Sequence, residues 1–294
     1  MSPPASDALL RLAAQPFDRL HPGMRNRAFG VDYARIDEPD GGHLYVTRYG
    51  WAMLPLLLPA AWYHNQRFAT QGQRLGGSTG TVYRLPMTST RGRRMDLVVK
   101  FSRFAQDVPL FVGQDILSRI PRHLIDEAHF NSPFEEVGHV KALRTRSAEA
   151  GTPILTKRPL AIYLTPQPEP AWRLGRHNSL FYAHDHALKA DQLSRPPGSQ
   201  IELDIQRDYV LLYEWVRGLD AEQFHTAGLL PEQDMLDLTA RAADEMQAQG
   251  YRVLDHKPKH LILRQRRRDG QLLRRHDTLV YALVDFELLQ PIKP

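Results

Sequence analysis

The run Leu75-Gly76-Gly77-Ser78-Thr79-Gly80-Thr81-Val82 is the most informative stretch of the sequence. It joins two segments of strand-like composition, Arg67–Leu75 and Thr81–Met87. Glycine has no Cβ, so backbone N–H groups there can approach phosphate oxygens closely, and Ser78 and Thr79 are too small to block them. A glycine-rich hairpin turn is the more common interpretation of such a run. The stretch therefore predicts a hairpin and leaves phosphate binding as an alternative.

A third strand and a helix are predicted downstream of this hairpin. The strand is Asp96–Phe101, which contains the run Leu97-Val98-Val99-Lys100. Ser132-Pro133 predicts the start of the helix, because serine is a good N-cap and proline suits the first turn. Glu135 and Glu136 favour the same assignment, since acidic residues stabilise the positive end of the helix dipole.

The second half of the chain combines one long helix with short apolar runs. Pro231–Gln249 predicts a helix ended by Gly250. Its apolar stripe is predicted at Leu236, Ala240, Ala243 and Met246. Short strands are predicted at Leu160–Leu164, Tyr209–Val216, Tyr251–Leu254, His260–Leu263 and Leu279–Phe286. This order predicts an α+β fold in two lobes, hinged near Trp215–Gly218.

Composition excludes several classes of protein. The 294 residues include no cysteine, which excludes disulfides, zinc–thiolate sites and thiol nucleophiles. The net charge of +5 is too small to indicate a nucleic-acid-binding protein. The most apolar stretch, Trp51–Tyr63, contains two prolines and is too short to span a bilayer. Residues 1–20 lack the pattern of a signal peptide. We expect a cytoplasmic protein that binds neither nucleic acid nor membrane.

Four separated side chains are candidates for chemistry. Lys100 at the end of a strand is usually a surface residue, but after a phosphate-binding loop its ammonium could neutralise phosphate charge. Such a lysine needs a carboxylate partner, and Glu136 is the natural choice. Asp255 and Asp285 each follow an apolar run, where an acid is usually structural. Together they could instead act as a base for a hydroxyl and as a magnesium ligand.

The order of these features resembles the protein-kinase-like superfamily from about Arg67 to the C-terminus. Gly77-x-x-Gly80-x-Val82 is similar to the glycine loop of that family, and Val98-Val99-Lys100 to its Val-Ala-x-Lys strand. Glu136 lies where the family has its ion-pair glutamate. Three further segments resemble the hinge strand, the catalytic loop and the metal-binding turn: Tyr213-Glu214-Trp215-Val216, Leu254-Asp255-His256-Lys257-Pro258 and Leu283-Val284-Asp285-Phe286-Glu287.

This resemblance implies a bilobal kinase-like fold with a β-rich N-lobe and a reduced helical C-lobe, in an enzyme that uses ATP and magnesium. Lys100 paired with Glu136 would orient the phosphates, Asp255 would act on the acceptor hydroxyl, and Lys257 would neutralise the γ-phosphate. Asp285 would bind magnesium, helped by His260. The implied nucleotide-binding residues are Gly76, Gly77, Ser78, Thr79, Gly80, Val82, Val98, Lys100, Tyr213, Glu214 and Val216.

The sequence also departs from the family pattern. His260 replaces the asparagine that normally holds a second magnesium ion. Glu287 replaces the glycine of the metal-binding turn, as in choline-kinase-like and aminoglycoside-phosphotransferase-like enzymes. The chain ends seven residues after Glu287 without the helices on which protein kinases dock peptides. We therefore expect the acceptor to be a small molecule or one specific protein.

The sequence is also compatible with two alternatives to phosphoryl transfer, and it predicts a division of the chain into three parts. A pseudokinase, which binds nucleotide or acts as a scaffold without transfer, is the main alternative, and transfer of the nucleotide itself would use the same pocket. We expect residues 1–64 to be an N-terminal extension packing on the lobes, 65–216 the N-lobe with insertions, and 217–294 the reduced C-lobe.

An arginine-rich hairpin lies between the catalytic loop and the metal-binding turn. A solvated turn is the simplest interpretation, and a docking patch for an acidic partner is the alternative. The arginines are Arg264, Arg266, Arg267, Arg268, Arg274 and Arg275.

Overall fold

The computed structural model describes residues 7–76, 80–88, 92, 94–104, 128–170, 174, 201–204 and 206–292. Its strands are β1 (Arg25–Ala28), β2 (Val31–Asp37), β3 (His43–Thr47), β4 (Gln73–Arg74), β5 (Thr81–Thr88), β6 (Arg94–Phe101), β7 (Leu155–Thr156), β8 (Pro159–Leu164), β9 (Tyr209–Glu214), β10 (Leu219–Asp220), β11 (Tyr251–Val253), β12 (Leu261–Leu263), β13 (Arg274–Arg275), β14 (Thr278–Leu279), β15 (Tyr281–Leu283) and β16 (Leu289–Pro291).

The α-helices are fewer and mostly short. They are α1 (Asp7–Ala13), α2 (Arg48–Trp51), α3 (Leu54–Leu57), α4 (Pro59–Trp62), α5 (Arg67–Thr70), α6 (Pro133–Glu149), α7 (Ala221–Thr226) and α8 (Glu232–Ala248). Single 3-10 turns occur at Phe17–Arg19, Pro22–Met24 and Pro258–His260. The protein is therefore a mixed α+β molecule with a sheet-rich body, as the sequence predicted. No helix within the described ranges is both long enough and apolar enough to cross a bilayer.

The chain divides into two compact units. Unit 1 comprises Met1–Asp107, Ser132–Gly138 and Arg158–Trp215, and unit 2 comprises Val108–Asn131, His139–Lys157 and Val216–Pro294. Helix α6 is thus shared, with its first residues in unit 1 and the rest in unit 2.

Unit 1 is built on an eight-stranded antiparallel sheet with the order β1-β2-β3-β8-β9-β6-β5-β4. Alternate residues of a strand point to opposite faces. Leu97, Val99 and Phe101 of β6 accordingly join one apolar cluster, whereas Val98 joins the other cluster with Phe134 of α6. Lys100 shares the face of Val98 by the same alternation.

The structure changes the expected role of residues 1–64. We expected an extension packing on the lobes, but β1, β2 and β3 continue the sheet of unit 1, with β3 paired to β8. The sequences of β1 and β2 conceal this because charged residues, such as Arg35 and Asp37 of β2, interrupt the apolar positions. Gly138 of α6 lies against the turn between β1 and β2, since a Cβ there would come within 2.7 Å of the Phe29 carbonyl oxygen.

The segment Arg67–Leu75 was predicted as a strand, and this prediction is wrong for most of its length. Residues Arg67–Thr70 form α5, and only Gln73–Arg74 pair with β5. The helix brings the buried ring of Phe68 to 5.3 Å from the ring of Phe101. Tertiary packing of this ring therefore outweighs the local preference for an extended chain.

Unit 2 contains a four-stranded sheet of order β10-β12-β15-β7 and two short strand pairs, β11–β16 and β13–β14. Helix α8 confirms the predicted helix, and Gly250 ends it with a φ of +78°. The predicted stripe is confirmed at Met246 but wrong at Leu236 and Ala240, which are exposed. The buried positions of α8 are Met235, Leu238, Ala242 and Met246.

Candidate functional site

A buried ion pair lies at the centre of unit 1. The Nζ atom of Lys100 is 3.2 Å from both Oε1 and Oε2 of Glu136. Their side chains are only 5% and 2% exposed. An ion leaves water at a large cost in free energy, so a buried charge persists only with a close partner of opposite sign. The structure brings together the two residues that the sequence suggested as partners.

Local sequence explains how Glu136 is positioned. Ser132 caps α6 reciprocally with Glu135: the backbone N–H of Glu135 donates to Ser132 Oγ at 3.2 Å, and that of Ser132 donates to a carboxylate oxygen of Glu135 at 3.3 Å. This capping box fixes the first turn of the helix. Glu136, the next residue, then lies on the buried side of that turn.

Tyr213 forms a hydrogen bond with this ion pair, a contact that the sequence did not reveal. Its hydroxyl donates to Glu136 Oε1 at 2.7 Å, and its side chain is fully buried. Lys100 is opposite Leu211 in the register of β6 and β9, so Tyr213 is its diagonal neighbour on the same face. The resemblance implied that Tyr213 binds nucleotide, and no strand pattern distinguishes a tyrosine that binds a ligand from one that binds a buried carboxylate.

The other implied nucleotide-binding residues of unit 1 lie around this pair. Val82 is opposite Lys100 in the sheet, and Val98 is opposite Tyr213. Glu214 ends β9 and forms an ion pair with Arg158, 3.3 Å apart. Val216, assigned to the same hinge, begins unit 2 and is half-buried.

The glycine-rich run is described only at its ends. Gly77, Ser78 and Thr79 lie outside the described residues. At Gly76 an added Cβ would meet no atom within 4 Å, and at Gly80 it would meet only Nε of Arg103, 3.9 Å away. Arg103 is itself buried. A buried cation beside the end of this loop was not foreseen, because a lone arginine after a strand carries no recognisable pattern.

In unit 2, Asp255 and Lys257 form a half-exposed pair just after β11. Lys257 Nζ lies 2.7 Å from Asp255 Oδ1, and the two side chains are 38% and 22% exposed. Pro258 restricts the residue before it to an extended backbone, and Lys257 has φ −143° and ψ 155°. The Lys-Pro sequence thus turns the lysine back toward the aspartate.

His260 and Asp285 also lie close together. Strands β12 and β15 pair so that Leu261 is opposite Leu283, and the residues flanking this pair lie at one end of both strands. His260 Nε2 is 3.8 Å from Asp285 Oδ2, which is an ion-pair distance but not a hydrogen bond. Within the described part of the chain, no three His, Asp or Glu side chains are grouped as a metal site.

Asn131 holds the turn that contains Asp285, and sequence reasoning missed it. Its side-chain amide donates to the carbonyl oxygens of Phe286 at 3.0 Å and Leu289 at 2.7 Å. Its backbone N–H donates to the carbonyl oxygen of Glu287 at 2.9 Å. Asn131 is buried and precedes the helix-capping Ser132, so its long-range partners leave no trace in the local sequence.

His256 fixes the segment next to Asp255. Its Nε2 lies 2.9 Å from the carbonyl oxygen of Thr239 in α8, so this nitrogen carries the proton. Burial lowers the pKa of His256, because the charged imidazolium is poorly solvated there, and nearby His260 adds to the effect. The neutral form of this histidine therefore anchors the segment to α8.

Comparisons with known proteins were made at three levels. No protein-family model matches the chain, and no curated protein matches it. Among solved structures, it is similar to the Rio2 kinase–ADP/Mg2+-phosphoaspartate complex from Chaetomium thermophilum, with 12% identity, a TM-score of 0.33, and coverage of 88% of this chain and 59% of that chain.

A second solved structure is Rad53 1-466 in complex with AMP-PNP, with 12% identity, a TM-score of 0.28, and coverage of 88% of this chain and 61% of that chain. The chain thus spans about three-fifths of the length of both structures. TM-scores this low support no conclusion about fold or function.

Proposed function

We propose that this protein is an ATP- and magnesium-dependent phosphotransferase with a kinase-like fold. The observation that carries the proposal is the buried ion pair between Lys100 and Glu136. In protein kinases a lysine on the third strand of the sheet binds the α- and β-phosphates, and a glutamate from a helix must hold it. Here Lys100 is on β6, the third of the consecutive strands β4, β5 and β6, and the glycine-rich run joins the first two.

The remaining roles belong to residues of unit 2. Asp255 would accept the proton of the acceptor hydroxyl as that oxygen bonds to the terminal phosphorus and the bond from phosphorus to ADP breaks. Lys257, 2.7 Å from Asp255, would neutralise charge on the phosphoryl oxygens. Such catalysis depends mainly on positioned charges.

Asp285 fits a magnesium ion better than His260 does. Mg²⁺ prefers oxygen ligands, and the partly exposed carboxylate of Asp285 is suited to it. The imidazole of His260 is a poorer match, so we assign it to positioning Asp285 rather than to coordination. When bound, magnesium would neutralise charge on the β- and γ-phosphate oxygens.

One experiment tests this function. Thermal-shift titration with ATP, with and without magnesium, measures binding, and γ-labelled ATP then measures transfer to protein or water. We expect magnesium-dependent stabilisation and label transfer. Asp285→Asn should lose the magnesium-dependent shift, and Asp255→Asn should keep ATP binding but lose transfer. Asp244→Asn, an exposed acid of α8, is the matched control and should resemble the wild type.

A nucleotide-binding pseudokinase is the second candidate. The observation that favours it is the contact of Asp255 with Lys257, which occupies the carboxylate assigned as the base. Magnesium-dependent ATP binding without any label transfer would favour this candidate. A wild-type protein that does not bind ATP at all would contradict both.

A further inference from the structure

The arginine-rich segment of unit 2 folds into a small three-segment meander. Backbone N–H groups of Arg266 and Leu273 donate to the carbonyl oxygens of Gln271 and Arg264, each at 2.7 Å, which joins the first two segments. The third segment is joined by the pairing of β13 with β14 and by a bond of 2.9 Å from the N–H of Val280 to the oxygen of Leu273. Residues 264–280 are therefore ordered as neighbouring extended segments.

The pairing sorts the side chains of the meander into two faces. Gln265 bridges to Leu272, and Arg274 is opposite Leu279. Leu279 is buried in the apolar cluster of unit 2, so this face points inward. Alternation places the intervening positions on the other face, away from the cluster. The arginines at these positions are Arg264, Arg266 and Arg275.

Most of the net charge of the protein is concentrated in this segment. Residues 264–277 contain six arginines and two aspartates, a net charge of +4, and the whole chain carries +5. Asp269 pairs with Arg266 at 2.9 Å and with Arg268 at 3.4 Å. Arg267 and Arg275 are exposed, and neither guanidinium has an ion-pair partner among the residues that the structure describes. The local positive charge is thus only partly neutralised.

We propose that this arginine face, formed by Arg264, Arg266 and Arg275 together with the exposed Arg267 and Arg268 of the adjoining turn, binds an extended acidic segment of a partner protein. Arginine forms bidentate hydrogen bonds with carboxylates. Three strands at a spacing of about 4.8 Å give a surface about 10 Å wide, and about three residues of extended peptide cover the same length at about 3.3 Å per residue. The surface therefore matches a short run of Asp and Glu.

A nucleic acid fits this surface less well. No Phe, Tyr or Trp occurs between Arg264 and Val280, so the imidazole of His276 is the one ring in this stretch of sequence on which a base could stack. The rest of the chain has a net charge of only +1, so the excess of positive charge is concentrated in this segment of the sequence. A protein that binds duplex DNA can contact about 6–10 phosphates, which is more than the five arginines of this face would pair with one to one.

Fluorescence anisotropy of the full chain with a labelled octaglutamate peptide tests the proposal, with a labelled RNA duplex measured in parallel. The charge-reversed variant is Arg267→Glu/Arg275→Glu, which breaks no ion pair between residues that the structure describes. The control is Arg19→Glu/Arg94→Glu, which reverses two exposed arginines of unit 1 and changes the net charge equally. Nucleotide is omitted, so the result does not depend on the proposed phosphotransfer.

We expect the wild type to bind octaglutamate, more weakly as salt rises from about 50 to about 200 mM. The hairpin variant should lose about tenfold in affinity, and the control should stay within about twofold. Arg267→Gln/Arg275→Gln replaces the hairpin variant if charge reversal lowers the unfolding temperature, and about a threefold loss is then expected.

Three results would overturn the proposal. The first is no wild-type binding to octaglutamate at about 50 mM salt. The second is an equal loss in the control, which would show an effect of net charge alone. The third is tighter binding to the RNA duplex than to the peptide at both salt concentrations, which would identify the surface as one for nucleic acid.

Discussion

The protein contains two lysine–carboxylate pairs of nearly opposite character. Lys100 and Glu136 lie 3.2 Å apart with side chains 5% and 2% exposed, whereas Lys257 and Asp255 lie 2.7 Å apart with side chains 38% and 22% exposed. The shorter pair is not the stronger one, because water and ions screen it. The buried pair cannot exchange partners without leaving a charge in the core. Burial, more than distance, thus separates a pair that fixes structure from one available to react.

The largest expected effect of this difference is on stability. Glu136→Ala leaves the ammonium of Lys100 buried without its carboxylate, so we expect the free energy of unfolding to fall by about 3–5 kcal/mol. Urea titration of the full chain measures it. Lys100→Met/Glu136→Leu removes both charges and should cost much less. Equal losses in the single and double variants would show that packing, not charge, determines the result.

Tyr213→Phe sharpens the same comparison with a smaller change. It removes the hydrogen bond of 2.7 Å to the Glu136 carboxylate and keeps the ring, and we expect a loss of about 1.5–3 kcal/mol. Tyr33→Phe is a matched control, because the buried hydroxyl of Tyr33 has no hydrogen-bond partner among the described residues. The control should be neutral or slightly stabilising. A destabilised Tyr33→Phe variant would contradict this interpretation of both hydroxyls.

The sequence predicted the pairing of Lys100 with Glu136 but not the contacts of Tyr213 and Asn131. The Ser132-Pro133 cap, the strand of Lys100 and the position of Glu136 follow local rules, so their pairing could be predicted. The contacts of Tyr213 and Asn131 could not, because each depends on partners more than 70 residues away. Local patterns describe turns and strands but not which polar groups will be buried together.

The wrong predictions of a strand at α5 and of the apolar stripe of α8 have the same cause, which is packing against residues distant in the sequence. In α8, both the predicted stripe and the observed one have helical spacing, and the choice between exposed Leu236 and buried Met235 is made by the residues packed against the helix. The strands β1 and β2 were missed because charged side chains interrupt their apolar positions. Periodicity shows that a segment has an apolar face but not what covers it.

The pH dependence of stability tests the segment next to the exposed pair. Burial lowers the pKa of His256, so the unfolded chain binds more protons than the folded one between that pKa and about 6.5. Stability should therefore fall as the pH is lowered through 6.5, by less than about 1.4 kcal/mol per pH unit for one proton. His256→Gln, which can still donate to Thr239, should flatten this slope in urea titrations from pH 7.5 to 5. An unchanged slope would assign it to other groups.

The smallest change in stability is expected at the exposed pair itself. Lys257→Ala should alter the free energy of unfolding by no more than about 1 kcal/mol, because the released Asp255 carboxylate can be solvated. Under the proposed function, the same variant should lose most of its transfer of label from ATP. Lys259→Ala is a control from the same turn, since it loses a more exposed ion pair, the one with Glu222. If Lys257→Ala lowers the free energy of unfolding as much as Glu136→Ala does, the two pairs contribute equally to stability. Burial would then not be what distinguishes them.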